Sequence, residues 1–197
     1  MAEVVTNVSA GSPATGGAVY RAPLGTTLPT DASTSLASAY VGLGYCSDDG
    51  VTNTNSPESD TIKAWGGQPV LSVQTSKEDT FKLKLIEVLN DNVLKAVYGD
   101  DNVTGALSTG LTVKANNDEA QEAVWVIDVA MRDGAAKRIV LPDAKVSEIG
   151  DIVYKDDEAV GYELTLTAMP DTDGQTHYEY ILKSPSGATG ATGTTGA

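Results

Sequence analysis

EDTFKLKLIEVLNDNVLKAVYG, residues 78–99, decides the fold. Phe81, Leu83 and Leu85 alternate with Lys82 and Lys84, which is the period of a half-buried strand. Asn90 to Asn92 follow, with side chains suited to capping the free amides of a first helical turn. Val93, Leu94 and Val97 then fall on one helical face, and Gly99 stands where a helix end favours glycine. A helix this short is marginal in water and needs a sheet to pack on. On periodicity alone, the segment is the strand–helix corner of any α+β domain.

Working outward, the clearest hairpin joins Val124–Met131 to Lys137–Leu141 through Asp133–Gly134. Its expected inward face carries Trp125, Ile127, Val129 and Met131. Tyr162–Ala168 alternates again, with Leu164 and Leu166 inward, and Asp171–Gly174 turns the chain into a last strand, Tyr178–Leu182. Toward the N-terminus, Ala18–Ala22 and Tyr40–Cys46 read as strands, and Pro23–Ser35 as loop. Ser47–Ser59, SDDGVTNTNSPES, reads as a long polar loop. Thr61–Trp65 and Val70–Thr75 read as strands around the Gly66–Gly67 turn, and Leu111–Lys114 as a further strand. The expected core is Phe81, Leu83, Leu85, Val93, Leu94, Val97, Trp125, Ile127, Val129, Leu164 and Leu166. The class that follows is mainly β with one short α-helix (α+β), a β-sandwich or open barrel packed by that helix.

The 197 residues suffice for one such domain with extensions. Residues 1–17 read as a flexible arm, 18–183 as the domain, and 184–197 as a flexible tail rich in Gly, Thr and Ala. The tail's glycines at 187, 190, 193 and 196 have the collagen period without its prolines.

Charge and motifs narrow the function classes. Thirteen basic against 27 acidic residues leave a formal charge of −14, which disfavours gripping phosphate backbones or anionic membranes. Cys46 is the only cysteine, so no internal disulfide forms. The start of the chain has neither the basic head nor the apolar stretch of a signal peptide, and assembly in the cytoplasm is expected. His177, the sole histidine, has no nucleophile or orienting acid at triad spacing. No zinc-type spacing occurs, and Gly42-Leu-Gly44 lacks the third glycine of a dinucleotide fingerprint. Asp171-Thr-Asp173-Gly174 starts like a calcium loop, but the closing glutamate position is Leu182, so a turn is expected. No catalytic residue, metal or cofactor is expected.

TFKLKLIE followed by NDNVLKAVYG resembles the strand–helix core of the major tail tube proteins of long-tailed bacteriophages. The Trp65–Thr75 strands, the polar segment before them, the Glu122–Leu141 hairpin and the Tyr162–Leu182 strands extend the likeness over roughly residues 18–183. The resemblance implies a virion tail subunit that forms six-fold rings stacked around a tape measure protein. Tail terminator and tail-tip proteins would be further partners, and phage DNA would pass through the lumen without specific binding. No membrane contact is implied. The candidates for contact between subunits or rings are Ser47, Asp48, Asp49, Val51, Asn53, Asn55 and Pro57, with Val4 and Val5 of the arm. The candidates for acids facing the lumen are Asp60, Asp128 and Glu163; screening at physiological salt would confine their repulsion to about 8 Å. Two other readings fit the same residues. One is a tube or ring subunit of a related injection or secretion machine, the other an acidic β-sandwich binding module of adhesin type.

Overall fold

The computed structural model describes residues 5–14 and 17–183. Strand makes up 51% of the described residues, against one short helix, so the fold is mainly β with one helix as expected.

Eleven strands are present among the described residues: β1 Gly11–Pro13, β2 Val19–Pro23, β3 Val41–Gly42, β4 Cys46–Lys63, β5 Pro69–Leu85, β6 Val103–Ala106, β7 Gly110–Val113, β8 Ala123–Met131, β9 Ala135–Ile149, β10 Tyr162–Ala168 and β11 Tyr178–Lys183. The helix α1 is Asp91–Tyr98. Nine strands make one antiparallel sheet in the order β3-β2-β8-β9-β10-β5-β4, with β1 added to β8 and β11 to β9; β6 and β7 form a separate two-stranded ribbon. β3 and β4 stand at opposite ends of that order, yet only residues 43–45 separate them in the chain. The sheet must therefore curl until its ends meet, as in an open barrel.

The core explains the curl. Phe81, Leu83 and Leu85 of β5 stand opposite Leu166, Leu164 and Tyr162 of β10, all buried. Trp125 and Ile127 of β8, Leu141 of β9 and Val19 of β2 close the same cluster from the far side. Each fully buried side chain of this size contributes about 1.5–3 kcal/mol. α1 plugs this interior with Val93, Leu94, Ala96 and Val97. Its start is capped by Asn90, whose side chain accepts the Asn92 N–H at 3.0 Å, and Asp91 pairs with Lys95 along its outer face. Gly99 ends it at φ +94, donating its N–H to the Lys95 carbonyl at 2.9 Å. Of the expected core, all are buried except Val129, which is half-buried at the edge of the cluster.

Four sequence expectations need correction. Ser47–Ser59 is not a loop but most of β4, which pairs with β5 continuously from Val51 onward. Both faces of this stretch are wet, so no apolar alternation marks it. Tyr40–Cys46 is not one strand: Val41–Gly42 form β3, Cys46 opens β4, and between them Gly44 turns at φ +71 with the Glu87 carboxylate packed against it, accepting the Tyr45 N–H at 3.0 Å. β8 is not one-sided, because Val124 and Val126 are buried on its other face in a second cluster with Ala22, Tyr40 and Val140. Within the arm, β1 pairs with the end of β8, joining part of residues 1–17 to the sheet. The expected tail at 184–197 lies outside the described residues.

Candidate assembly surface

β4 and β5 are far longer than the sheet they belong to. β10 pairs with β5 only from Thr80 to Leu85, whereas β4 and β5 stay paired out to Lys63 and Pro69. The excess is a two-stranded ribbon, closed by a turn in which Ala64 donates to the Gln68 carbonyl and Gly66 and Gly67 both have positive φ. At about 3.3 Å per residue, the nine steps from Asn55 to Ala64 span roughly 30 Å. Every residue from 52 to 78 is exposed.

The ribbon is two-faced near its tip. Ile62 stands opposite Leu71 and Asp60 opposite Val73, so alternation puts Ile62, Leu71 and Val73 on one face. Thr61 and Ser72 stand opposite each other on the other face. Ile62, Leu71 and Val73 are all exposed, as are Val70 at the Ile62/Lys63 register shift and Trp65 in the turn. An isolated two-stranded ribbon is at best marginally stable in water. A long one with an uncovered apolar face and both edges open is a template for another chain.

The sequence-chosen contact residues divide between two places. Asn55 and Pro57 stand on the ribbon. Ser47, Asp48, Asp49, Val51 and Asn53 line a groove at the mouth of the barrel, facing Gly11–Pro13, Phe81, Ile127 and Val129. Ser47 to Gly50 lie at the register shift between Cys46 and Val51, where β4 bulges away from β5. Val5 is exposed in a short 3-10 turn, and Val4 lies outside the described residues.

The sequence-chosen acids are engaged. Asp128 is held by Arg138, Nε to Oδ1 at 2.6 Å and Nη2 to Oδ2 at 2.9 Å. Its charge is matched, which removes the reason for placing it on a repelling wall. Glu163 forms a surface pair with Lys82 at 2.8 Å. Asp60 stands on the exposed ribbon and accepts the Thr61 N–H.

One polar cluster was invisible in the sequence. The Asp79 carboxylate, 2% exposed, accepts from Asn53 Nδ2 at 2.8 Å and Thr176 Oγ1 at 2.6 Å, and lies 2.5 Å from His177 Nδ1. Burial pushes its pKa up, but the hydrogen bonds from Thr176, Asn53 and His177 and the attraction of His177 outweigh that and hold it below the usual carboxylate range. Thr176 and His177 bond the carboxylate side by side, an anchoring geometry rather than a nucleophile–base relay. Asp171 is a turn residue, as expected: its carboxylate accepts the N–H groups of Asp173 and Gln175 and the Tyr178 hydroxyl. Among the described residues, no group of three or more His, Cys, Asp or Glu side chains is placed to hold a metal ion.

The described residues thus form an open barrel with a projecting ribbon and a helical plug. The model of the phage tail tube protein family matches residues 6–192. The chain belongs to the phage tail tube protein family. The match spans the barrel, the ribbon and the helix together, so the strand–helix resemblance at residues 78–99 extends to nearly the whole chain. No curated protein matches the chain. A phage tail tube protein is a structural component of the virion tail that assembles with copies of itself, and the family is structural rather than enzymatic.

Proposed function

We propose that this tail tube subunit closes into six-membered rings, that the rings stack around a tape measure protein, and that the resulting tube conducts the genome during ejection. The observation that carries this reading is the β4–β5 ribbon. Its open edges and the Ile62, Leu71 and Val73 face have no cover among the described residues, and a second copy of the same chain would supply both. Ring closure satisfies edges by a heterologous contact that returns on itself; stacking is a heterologous contact that propagates without limit. The groove at Ser47–Asn53 is a second contact candidate, because it lies at the barrel mouth beside β1.

The net charge of −14 supports a lumen that repels DNA. With Asp128 paired to Arg138 and Glu163 to Lys82, Asp60 is the candidate wall acid whose charge meets no cation among the described residues. Tail terminator and tail-tip proteins would end the stack, and assembly would take place in the host cytoplasm.

Negative-stain microscopy of the purified chain over a range of concentrations tests the reading. Rings or tubes with a central channel are expected. A species that stays monomeric at high concentration, and forms no tubes when tail components are added, overturns it.

A further inference from the structure

We propose that Asp79 is the positioning residue that sets the direction in which the assembly ribbon leaves the barrel. The proposal deepens the tube-subunit reading and rests on the ribbon being its assembly element.

Three observations converge on this residue. Asp79 is the first buried residue after the exposed run of residues 52–78, so it marks the step from ribbon to body. It stands opposite Asn55 in the ladder, just beyond Thr80, where β10 stops supporting β5. A two-stranded ribbon without a third strand can twist and swing about such a root. The Asp79 carboxylate meets that freedom with bonds from both sides. Asn53, on β4, donates to Asp79 and also to the Thr80 carbonyl at 3.1 Å. Thr176 and His177 reach it from the segment leading into β11, 97 and 98 residues away in sequence. The His177 ring in turn packs edge-on against the buried Phe81, with centroids 5.3 Å apart at 84°. The carboxylate thus ties both ribbon strands to a third element that forms no ladder with them. Asp79 and Arg138 are the buried charged side chains among the described residues. Arg138 ties down the Asp31–Thr34 loop, whereas Asp79 ties down the ribbon.

Two consequences separate a positioning role from simple stabilisation. Loss of the cluster should widen the ribbon's orientations while leaving the barrel ordered. The loss should also be graded, since Thr176→Val removes one bond and Asp79→Asn removes the charge that organises all three.

Pulsed electron spin resonance on the full chain, dilute and monomeric, reads this directly. Spin labels are placed at Lys77→Cys on the ribbon root and Glu148→Cys on β9, with Cys46→Ser removing the native thiol. A control pair at Val41→Cys on β3 and Glu148→Cys on β9 lies within the nine-stranded sheet of the body. The expected result is one narrow ribbon–body distance in the parent. It should broaden about twofold or more in Asp79→Asn and less in Thr176→Val, with the control distance unchanged. A ribbon–body distance as narrow in both variants as in the parent overturns the proposal, and so does equal broadening of the control pair. If Asp79→Asn does not fold, Thr176→Val, which removes one bond to the carboxylate, and Asn53→Ala, which removes one bond to the carboxylate and one to the Thr80 carbonyl, decide by the same criteria. The measurement needs no tube, so a parent chain that never polymerises would defeat the tube-subunit reading without changing what the distances say about Asp79.

Discussion

Arg138 and Asp128 face each other across the β8–β9 ladder and bond twice, Nε to Oδ1 and Nη2 to Oδ2. The pair lies on the sheet face opposite Trp125 and Ile127, where Arg138 also donates to the carbonyls of Asp31 at 3.1 Å and Thr34 at 2.8 Å. One guanidinium therefore fastens the 24–40 loop over the second core. Removing either partner strands the other charge in a site that is nearly closed to water. Arg138→Ala or Asp128→Ala is expected to destabilise the subunit by about 3–5 kcal/mol, read from urea denaturation midpoints. A loss no larger than that of an exposed ion pair would mean that water reaches the pair freely.

Ile62 and Leu71 form a cross-strand apolar pair that the described residues leave exposed. Ile62→Asp and Leu71→Asp should leave the subunit's own stability within about 0.5 kcal/mol, because neither side chain is buried in it. The same variants should abolish tube formation in negative stain. Unimpaired tubes would show that this face is not an interface.

Asp79 makes stability depend on acid. Its folded pKa lies below its unfolded value, so the unfolded chain holds the proton more tightly. The carboxylate's contribution is complete above the ordinary carboxylate range and is lost as pH falls through that range toward the folded value. Between about pH 5 and 3, the parent should lose more stability than Asp79→Asn, which has no carboxylate to protonate. Parallel urea midpoints across that interval check the difference, and identical slopes would contradict it.

Cys46 should be a poor nucleophile. Burial pushes its thiol pKa up to about 11, and nothing nearby compensates. At pH 8, only roughly one thiol in a thousand is then ionised. Reaction with a disulfide reagent should be slow in the native subunit and fast in denaturant. Equal rates in the two states would show the thiol to be exposed.

Gly44 is held at φ +71 with the Glu87 carboxylate filling the place of a side chain. Gly44→Ala must displace Glu87, which also accepts from Tyr45 N–H and Asn90 Nδ2. A loss of about 1–3 kcal/mol is expected in chemical denaturation. A neutral result would show that residues 43–45 can reroute without cost.

The sequence by itself determined the local pieces: the alternation of Phe81, Leu83 and Leu85, the Asn90 cap, the Gly66–Gly67 turn, the 171–174 turn and the acidic surface. Each is written in neighbouring residues, because a strand with one dry face repeats every second residue and a helix end is capped within a few. Only the tertiary structure decided that residues 47–59 are strand. A ribbon with two wet faces has no apolar period, and its pairing with β5 is satisfied by backbone groups that every residue carries. The second core was hidden for the opposite reason, since burial of both faces of β8 erases alternation at Val124 and Val126. The Asp79 cluster lay furthest from view: Asn53, Asp79, Thr176 and His177 meet only after the barrel has curled, and no spacing along a chain records that meeting.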